Sequence, residues 1–230
     1  MTDILIYGIN GKMGKTVYEC ALKRKDVNVA CGVDKHTFGN FNCPVFSDGS
    51  DVNCHFDVII DFSSPSSIDD ILCLAIEYNS PIVLATTGYN ESEIEKIQQA
   101  AKNVPICISP NMSAGINNLI SILPDICKTF GNFDVVITET HKKNKKDKPS
   151  GTALRLKEII DATTKNQTDI FSVRGGDLPG THEINFLGEH ESITITHTVF
   201  SREVFAMGAI DEGIKMTKLP CGMYTPATYN

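Results

Sequence analysis

Over the first 112 residues, short apolar runs alternate with amphipathic stretches. Residues 4–7, 27–33, 57–62, 81–85 and 104–108 are almost wholly apolar, as expected for strands buried on both faces. Between them, helical patterning predicts helices over 12–24, from Ser66 or Ser67 to about residue 78, and from Asn90 to about residue 102. Ser66 or Ser67 is the expected cap of the second helix, and Asn90 with Glu93 three residues on is the pattern of a capping box. Residues 36–56 read as loop with one short strand. Strand alternating with helix predicts an α/β fold, a doubly wound, Rossmann-like parallel sheet. In such a sheet the loops after the strands hold the ligand; here these are 8–14, 34–35, 61–65, 85–88 and 109–112.

Beyond residue 112 the pattern changes. A helix over 113–129, disturbed by Pro124, precedes a strand over 134–139 and a helix over 152–163. Strands near 170–174, 182–188 and 192–200 follow, then a helical stretch over 202–216 and an irregular tail. Residues 192–199 alternate polar and apolar, so this second sheet should keep an open face, of the kind that meets another subunit.

The turn after the first strand reads Gly8-Ile9-Asn10-Gly11-Lys12-Met13-Gly14. Strand, glycine turn and helix form the context of a dinucleotide fingerprint, although the spacing is Gly-x-x-Gly-x-x-Gly. Gly8 allows the tight turn, Gly11 the approach of a pyrophosphate, and Gly14 the packing of helix on strand. Asp34 ends the second strand, where an acid can accept the adenosine ribose hydroxyls or simply close a turn. Lys35 beside it can meet a 2′-phosphate, so NADH and NADPH both remain open.

Charge adds a second candidate site. The chain has a formal net charge of −7, which argues against a nucleic-acid partner. Yet His141 and five lysines (142, 143, 145, 146 and 148) fall within eight residues. Pro149-Ser150-Gly151-Thr152 then opens a helix, whose unpaired N–H groups and dipole suit a small anion. The cluster is either such an anion site or a solvated turn before a capped helix. Eight scattered cysteines without metal-ligand spacing predict free thiols in a reducing compartment and no metal site. With no apolar run near 18 residues and no signal peptide, a soluble cytoplasmic protein without membrane partners is expected.

Together these motifs resemble the dihydrodipicolinate reductase family of lysine and diaminopimelate biosynthesis. The most specific match is Glu-x-His-x-x-x-Lys-x-Asp-x-Pro-Ser-Gly-Thr-Ala, residues 139–153 here; others are 8–14, 57–62, 85–88, 109–115, 172–177 and 205–209. The resemblance implies a dinucleotide domain of residues 1–112 and 203–230, and an α+β domain of 113–202 with a mixed open sheet for substrate and tetramerisation. It implies NAD(P)H-dependent reduction of a small dicarboxylate, in a homotetramer. It makes His141 the acid/base and Lys145 a proton donor or electrostatic stabiliser. Lys142, Ser150, Gly151, Thr152 and Thr87 would bind substrate. Gly8 to Gly14, Asp34, Lys35, Ala85, Thr86, Thr87, Ser109, Pro110, Asn111 and Met112 would bind the cofactor. The family usually has a second histidine where this chain has Lys142. Two rivals predict otherwise: another NAD(P)-dependent dehydrogenase has no need of the 139–153 pattern, and a non-catalytic NAD(H) sensor binds cofactor without turnover.

Overall fold

The computed structural model describes residues 1–164, 167–178 and 180–226. The chain divides into two compact units: Met1–Ser113 together with the chain from Glu203 onward, and Ala114–Arg202.

The first unit is built on a seven-stranded parallel sheet. In chain order its elements are β1 (Thr2–Tyr7), α1 (Lys12–Leu22), β2 (Val27–Val33), β3 (Val45–Phe46), β4 (Val58–Asp61), α2 (Ile68–Tyr78), β5 (Ile82–Leu84), α3 (Glu91–Ala100) and β6 (Pro105–Ile108). The second unit contributes α4 (Ala114–Thr129), β7 (Asp134–His141), α5 (Gly151–Thr163), β8 (Asp169–Arg174), β9 (Gly180–Leu187) and β10 (Ser192–Val199). The chain then returns to the first unit as α6 (Glu203–Met216) and β11 (Gly222–Tyr224).

Strand order in the first sheet is β11-β6-β5-β4-β1-β2-β3. The order reverses at β1, so the loops after β1 and β4 part there and open a crevice, the place where such sheets take ligands. One face of the sheet, with Leu5, Ile59, Ile82 and Ile106, packs beneath α2 and α3. The other, with Ile4, Ile6, Ile60 and Val83, packs beneath α1 and α6 through Val17, Ala206, Ala209 and Ile210. Both faces are apolar because both are covered, which is why these strands read as continuous apolar runs.

Strand order in the second sheet is β10-β9-β7-β8, with β7 and β8 parallel and the other pairs antiparallel. Its apolar face packs on α4 and α5 through Ile137, Ile184, Phe186, Ile116, Leu156 and Ile160. The other face leaves Phe171 and Val173 of β8 exposed.

Several expectations need correction. The tail is not wholly irregular: Gly222–Tyr224 pairs parallel with Pro105–Cys107, an edge that only the folded sheet provides. Residues 227–230 lie outside the described residues. Neither serine caps α2: Pro65–Ser67 forms a 3₁₀ turn, and Ser67 makes no side-chain cap hydrogen bond. Proline at the first position of that turn supplies the helical φ and has no N–H to cap. α4 continues through Pro124 as one helix, since the ring removes a single hydrogen bond there. β7 extends two residues past the expected end, to His141, held by β8 alongside. The Asn90–Glu93 capping box forms in both directions, at 2.9 and 2.7 Å.

Candidate active site

In the first unit the glycine turn has the shape its sequence requires. Gly8 has φ +81°, a conformation disfavoured for residues with a Cβ. A Cβ at Gly14 would lie 2.1 Å from the Gly8 carbonyl oxygen, so only glycine lets α1 start this close to β1. The N-cap of α1 is Gly11, with no side-chain cap hydrogen bond and no acidic residue in the first turn. That end of the helix therefore favours an anion. Gly8, Gly11, Asp34, Lys35, His36, Ser63 and Ser64 line a cavity of about 340 Å³ at this edge of the sheet.

Not every residue of the turn faces that cavity. Ile9 is fully buried in the core and Met13 packs against it. Asn10 is a brace: its N–H donates to Asp34 Oδ2 at 3.0 Å and its side chain donates to the His36 carbonyl at 2.5 Å. Asp34 Oδ1 accepts the His36 N–H at 3.0 Å. Asp34 thus ties its own loop to the glycine turn, a task the strand-end reading did not include. Lys12 and Lys35 are exposed.

The other loops of this unit are locally braced. Asp61, fully buried at the end of β4, accepts the Ser63 N–H at 2.8 Å, the Ser63 hydroxyl at 2.5 Å and the Tyr89 hydroxyl at 3.3 Å. Burial pushes its pKa up, against those hydrogen bonds. Ala85 is half-buried, Thr86 buried and Thr87 exposed. Ser109 Oγ donates to the Asn111 carbonyl at 2.8 Å and accepts the Asn111 N–H at 3.2 Å. Pro110 is exposed, while Met112 is buried under α6. A Cβ on Gly208 would lie 1.7 Å from the Met112 carbonyl oxygen, so the glycine in α6 makes room for this loop.

In the second unit the site grows out of the core along one face of β7. Val135 and Ile137 are buried apolar residues, and Glu139 and His141 continue the same alternation. Glu139 is completely buried. Its carboxylate accepts from Arg174 Nη1 at 2.8 Å and Nη2 at 2.7 Å, from the Ser150 N–H at 3.3 Å, and from His141 Nδ1. Burial alone would raise its pKa, but hydrogen bonds from Arg174, Ser172 and His141 outweigh that and hold it at about 2.

A permanent carboxylate on Nδ1 fixes the histidine tautomer and leaves Nε2 for chemistry. Burial lowers the His141 pKa; Glu139 opposes the shift, and Lys145 and Arg174 reinforce it. His141 is therefore mostly neutral at pH 7 in the free protein. Gly180 comes close to its Nε2 edge: a Cβ there would lie 2.7 Å from Nε2.

Lys145 is partly buried and pairs with Asp147 Oδ2 at 2.9 Å. Lys142 is half-buried, whereas Lys143, Lys146 and Lys148 are exposed. Arg174 Nη2 also donates to the Asp147 carbonyl at 2.6 Å, so one guanidinium holds both Glu139 and the basic loop. Ser150 caps α5 by accepting the Ala153 N–H at 3.3 Å. A Cβ on Gly151 would meet none of the atoms packed around that helix start within 4 Å. His182, which sequence reasoning passed over, is buried with Nε2 3.0 Å from Ser150 Oγ; its ring meets that of His141 edge-on at 5.1 Å.

The structure thus brings His141, Lys145, Ser150 and Gly151 onto one strand end, one loop and one helix start. Glu139 and Arg174 stood within the recognised motifs but carried no assigned role; His182 and Gly180 carried none either. Alternation along β7 could have pointed to Glu139 as a buried carboxylate, and hence to a buried cation opposite it.

A family model described as the N-terminal part of dihydrodipicolinate reductase matches residues 2–112, and one for the C-terminal part matches 115–227. The chain belongs to the dihydrodipicolinate reductase family. It is 41% identical to the 4-hydroxy-tetrahydrodipicolinate reductase of Clostridium tetani (strain Massachusetts / E88), across 97% of this chain and 95% of that one. The enzyme of the same name from Caldanaerobacter subterraneus subsp. tengcongensis is 40% identical, across 98% and 96%. Among solved structures, dipicolinate-bound dihydrodipicolinate reductase from Paenisporosarcina sp. TG-14 superposes with a TM-score of 0.86, at 21% identity and 98% and 97% coverage. A myo-inositol dehydrogenase from Corynebacterium glutamicum ATCC 13032 shares the fold at a TM-score of 0.67, with 13% identity and 96% and 90% coverage. Dihydrodipicolinate reductases use NADH or NADPH, and this member has the family's Rossmann-like sheet and its separate mixed sheet. Among its described residues, no helix is long and apolar enough to cross a membrane.

Proposed function

We propose that this protein is an NAD(P)H-dependent 4-hydroxy-tetrahydrodipicolinate reductase of lysine and diaminopimelate biosynthesis. One hydride and one proton are added to the ring, and the 4-hydroxyl leaves as water, giving tetrahydrodipicolinate. The carrying observation is the buried Arg174–Glu139–His141 chain beside the Ser150-capped start of α5. Three relations support the assignment: membership of the family, high coverage of both relatives, and the retained 139–153 pattern.

In this reading the first unit holds the cofactor. Gly8, Gly11 and the uncapped start of α1 receive the pyrophosphate, and Asp34 and Lys35 meet the adenosine ribose. The loops at 85–87 and 109–112 complete that site. When bound, the nicotinamide supplies the hydride. In the second unit, Ser150, Gly151, Thr152 and Lys142 receive the substrate carboxylates. Thr87 is assigned to both ligands.

Hydride addition to a conjugated C=C–C=N system leaves negative charge that needs a proton. His141 holds that proton on Nε2, because Nδ1 is committed to Glu139. A dianionic substrate raises the lowered histidine pKa and so charges the acid when it is wanted. Lys145 stabilises the developing charge once a substrate carboxylate competes with Asp147 for it. The exposed lysines steer the dianion inward. The open face of the second sheet carries a homotetramer, and the protein works in the cytoplasm.

The test follows absorbance at 340 nm with freshly made substrate, using NADH and NADPH separately, and runs His141→Gln beside the wild type. Substrate-dependent oxidation that falls by about 10²–10⁴ in the variant is expected. Cofactor binding with no oxidation by the wild type would sink the assignment and favour a sensor. Light scattering of the purified protein checks the tetramer.

A further inference from the structure

His182 lies on β9 directly across from Glu139 on β7 and from His197 on β10. It is 5% exposed, and its Nδ1 has no hydrogen-bond partner among the described residues. Its Nε2 is 3.0 Å from Ser150 Oγ. Ser150 Oγ also accepts the Ala153 N–H at 3.3 Å. Burial, followed by the charge of His141, drives the His182 pKa down to about 4, so its ring is neutral at pH 7.

A neutral ring carries one N–H. On Nδ1 that hydrogen would be a buried donor facing no acceptor, which is costlier and rarer than an unfilled lone pair. On Nε2 it is satisfied by Ser150 Oγ. A hydroxyl oxygen has two lone pairs and one hydrogen. The Nε2–H and the Ala153 N–H take up both lone pairs, and the Ser150 hydrogen is left to point elsewhere. We propose that His182 is a positioning residue that turns Ser150 from a helix cap into a committed O–H donor toward a substrate carboxylate at the start of α5. The inference rests on the substrate reading of Ser150-Gly151-Thr152. It explains why a buried histidine stands behind the cap: without it, the Ser150 hydroxyl is free to spend its hydrogen inward.

Two measurements test this. Long-range ¹⁵N–¹H correlation of the ligand-free protein reads the tautomer: a hydrogen on Nε2 of His182 is expected, and one on Nδ1 overturns the arrangement. Calorimetric titration with dipicolinate in the presence of NADH then compares wild type, Ser150→Ala, His182→Leu, His182→Gln and the Ser150→Ala/His182→Leu double variant. Ser150→Ala and His182→Leu should each weaken binding about tenfold, the double variant no further than either alone, and His182→Gln should recover most of the loss by presenting an amide N–H. Unchanged binding in His182→Leu, or losses that multiply in the double variant, overturns the proposal. If the wild type does not bind dipicolinate, the substrate reading falls and the carboxylate role with it, while the tautomer still decides the His182–Ser150 arrangement. Circular dichroism melting of each variant separates lost binding from lost folding.

Discussion

Replacing Glu139 with glutamine tests the centre of the site. The carboxylate is fully buried and answers a largely buried guanidinium, the Arg174 side chain being 12% exposed. Removing one partner of such a pair leaves a buried charge uncompensated, at a cost of about 3–5 kcal/mol. Proton linkage gives a second route to the magnitude. The carboxyl lies at about 2 against an ordinary 4.5. At ~1.4 kcal/mol per tenfold change in dissociation, that difference corresponds to about 3 kcal/mol. The sign follows from the lowered value: the stability is present above pH 4.5 and is lost as pH falls through about 2. Urea unfolding followed by far-ultraviolet circular dichroism should therefore place Glu139→Gln about 3 kcal/mol below wild type at pH 7. The gap should narrow steadily below pH 4.5, because the unfolded chain's carboxyl takes up a proton there while the folded one stays ionised until about pH 2. A gap under ~0.5 kcal/mol at pH 7, the range of ordinary surface changes, would refute the reasoning. So would a gap that stays constant to pH 2.5, within the window in which the unfolded chain alone takes up the proton.

Three further expectations use other parts of the structure. Gly180→Ala sets a methyl 2.7 Å from His141 Nε2, so kcat should fall by about 10² or more with the circular dichroism spectrum unchanged; near-normal kcat would mean Nε2 is not the working atom. Gly14→Ala drives a methyl to 2.1 Å from the Gly8 carbonyl, so fluorescence titration should show NADH binding lost while dipicolinate binding in the second unit survives. NMR titration of His141 should give a pKa below 6.5, and Lys145→Met should move it upward because the lysine charge contributes to lowering it. For stability the lowered value means that the His141 contribution is present above pH 6.5 and declines as pH falls; a Lys145→Met value equal to or below wild type would contradict the assignment.

Local patterns carried the reading as far as local physics reaches. The glycine turn could be read because Gly8 needs a positive φ and Gly14 needs a missing side chain, demands set within seven residues. The Ser150 cap could be read because its acceptor and donor are three residues apart. The Asn90–Glu93 box is legible for the same reason. By contrast, nothing in the tail announced β11. That strand is settled by the sheet edge it pairs with.

By itself, then, the sequence determined the alternation of strand and helix, the glycine turn, and a basic loop feeding a capped helix, since each depends on residues within a few positions of one another. Sheet register decided the rest. Pairing of β7 with β8 sets Arg174 beside His141, and pairing with β9 sets His182 across from Glu139. These partners lie 33 and 43 residues apart in the chain, and no local periodicity links them. A buried carboxylate can exist only where the fold brings it a cation and N–H donors, so the charge state of Glu139, the tautomer of His141 and the direction of the Ser150 hydroxyl are properties of the folded protein.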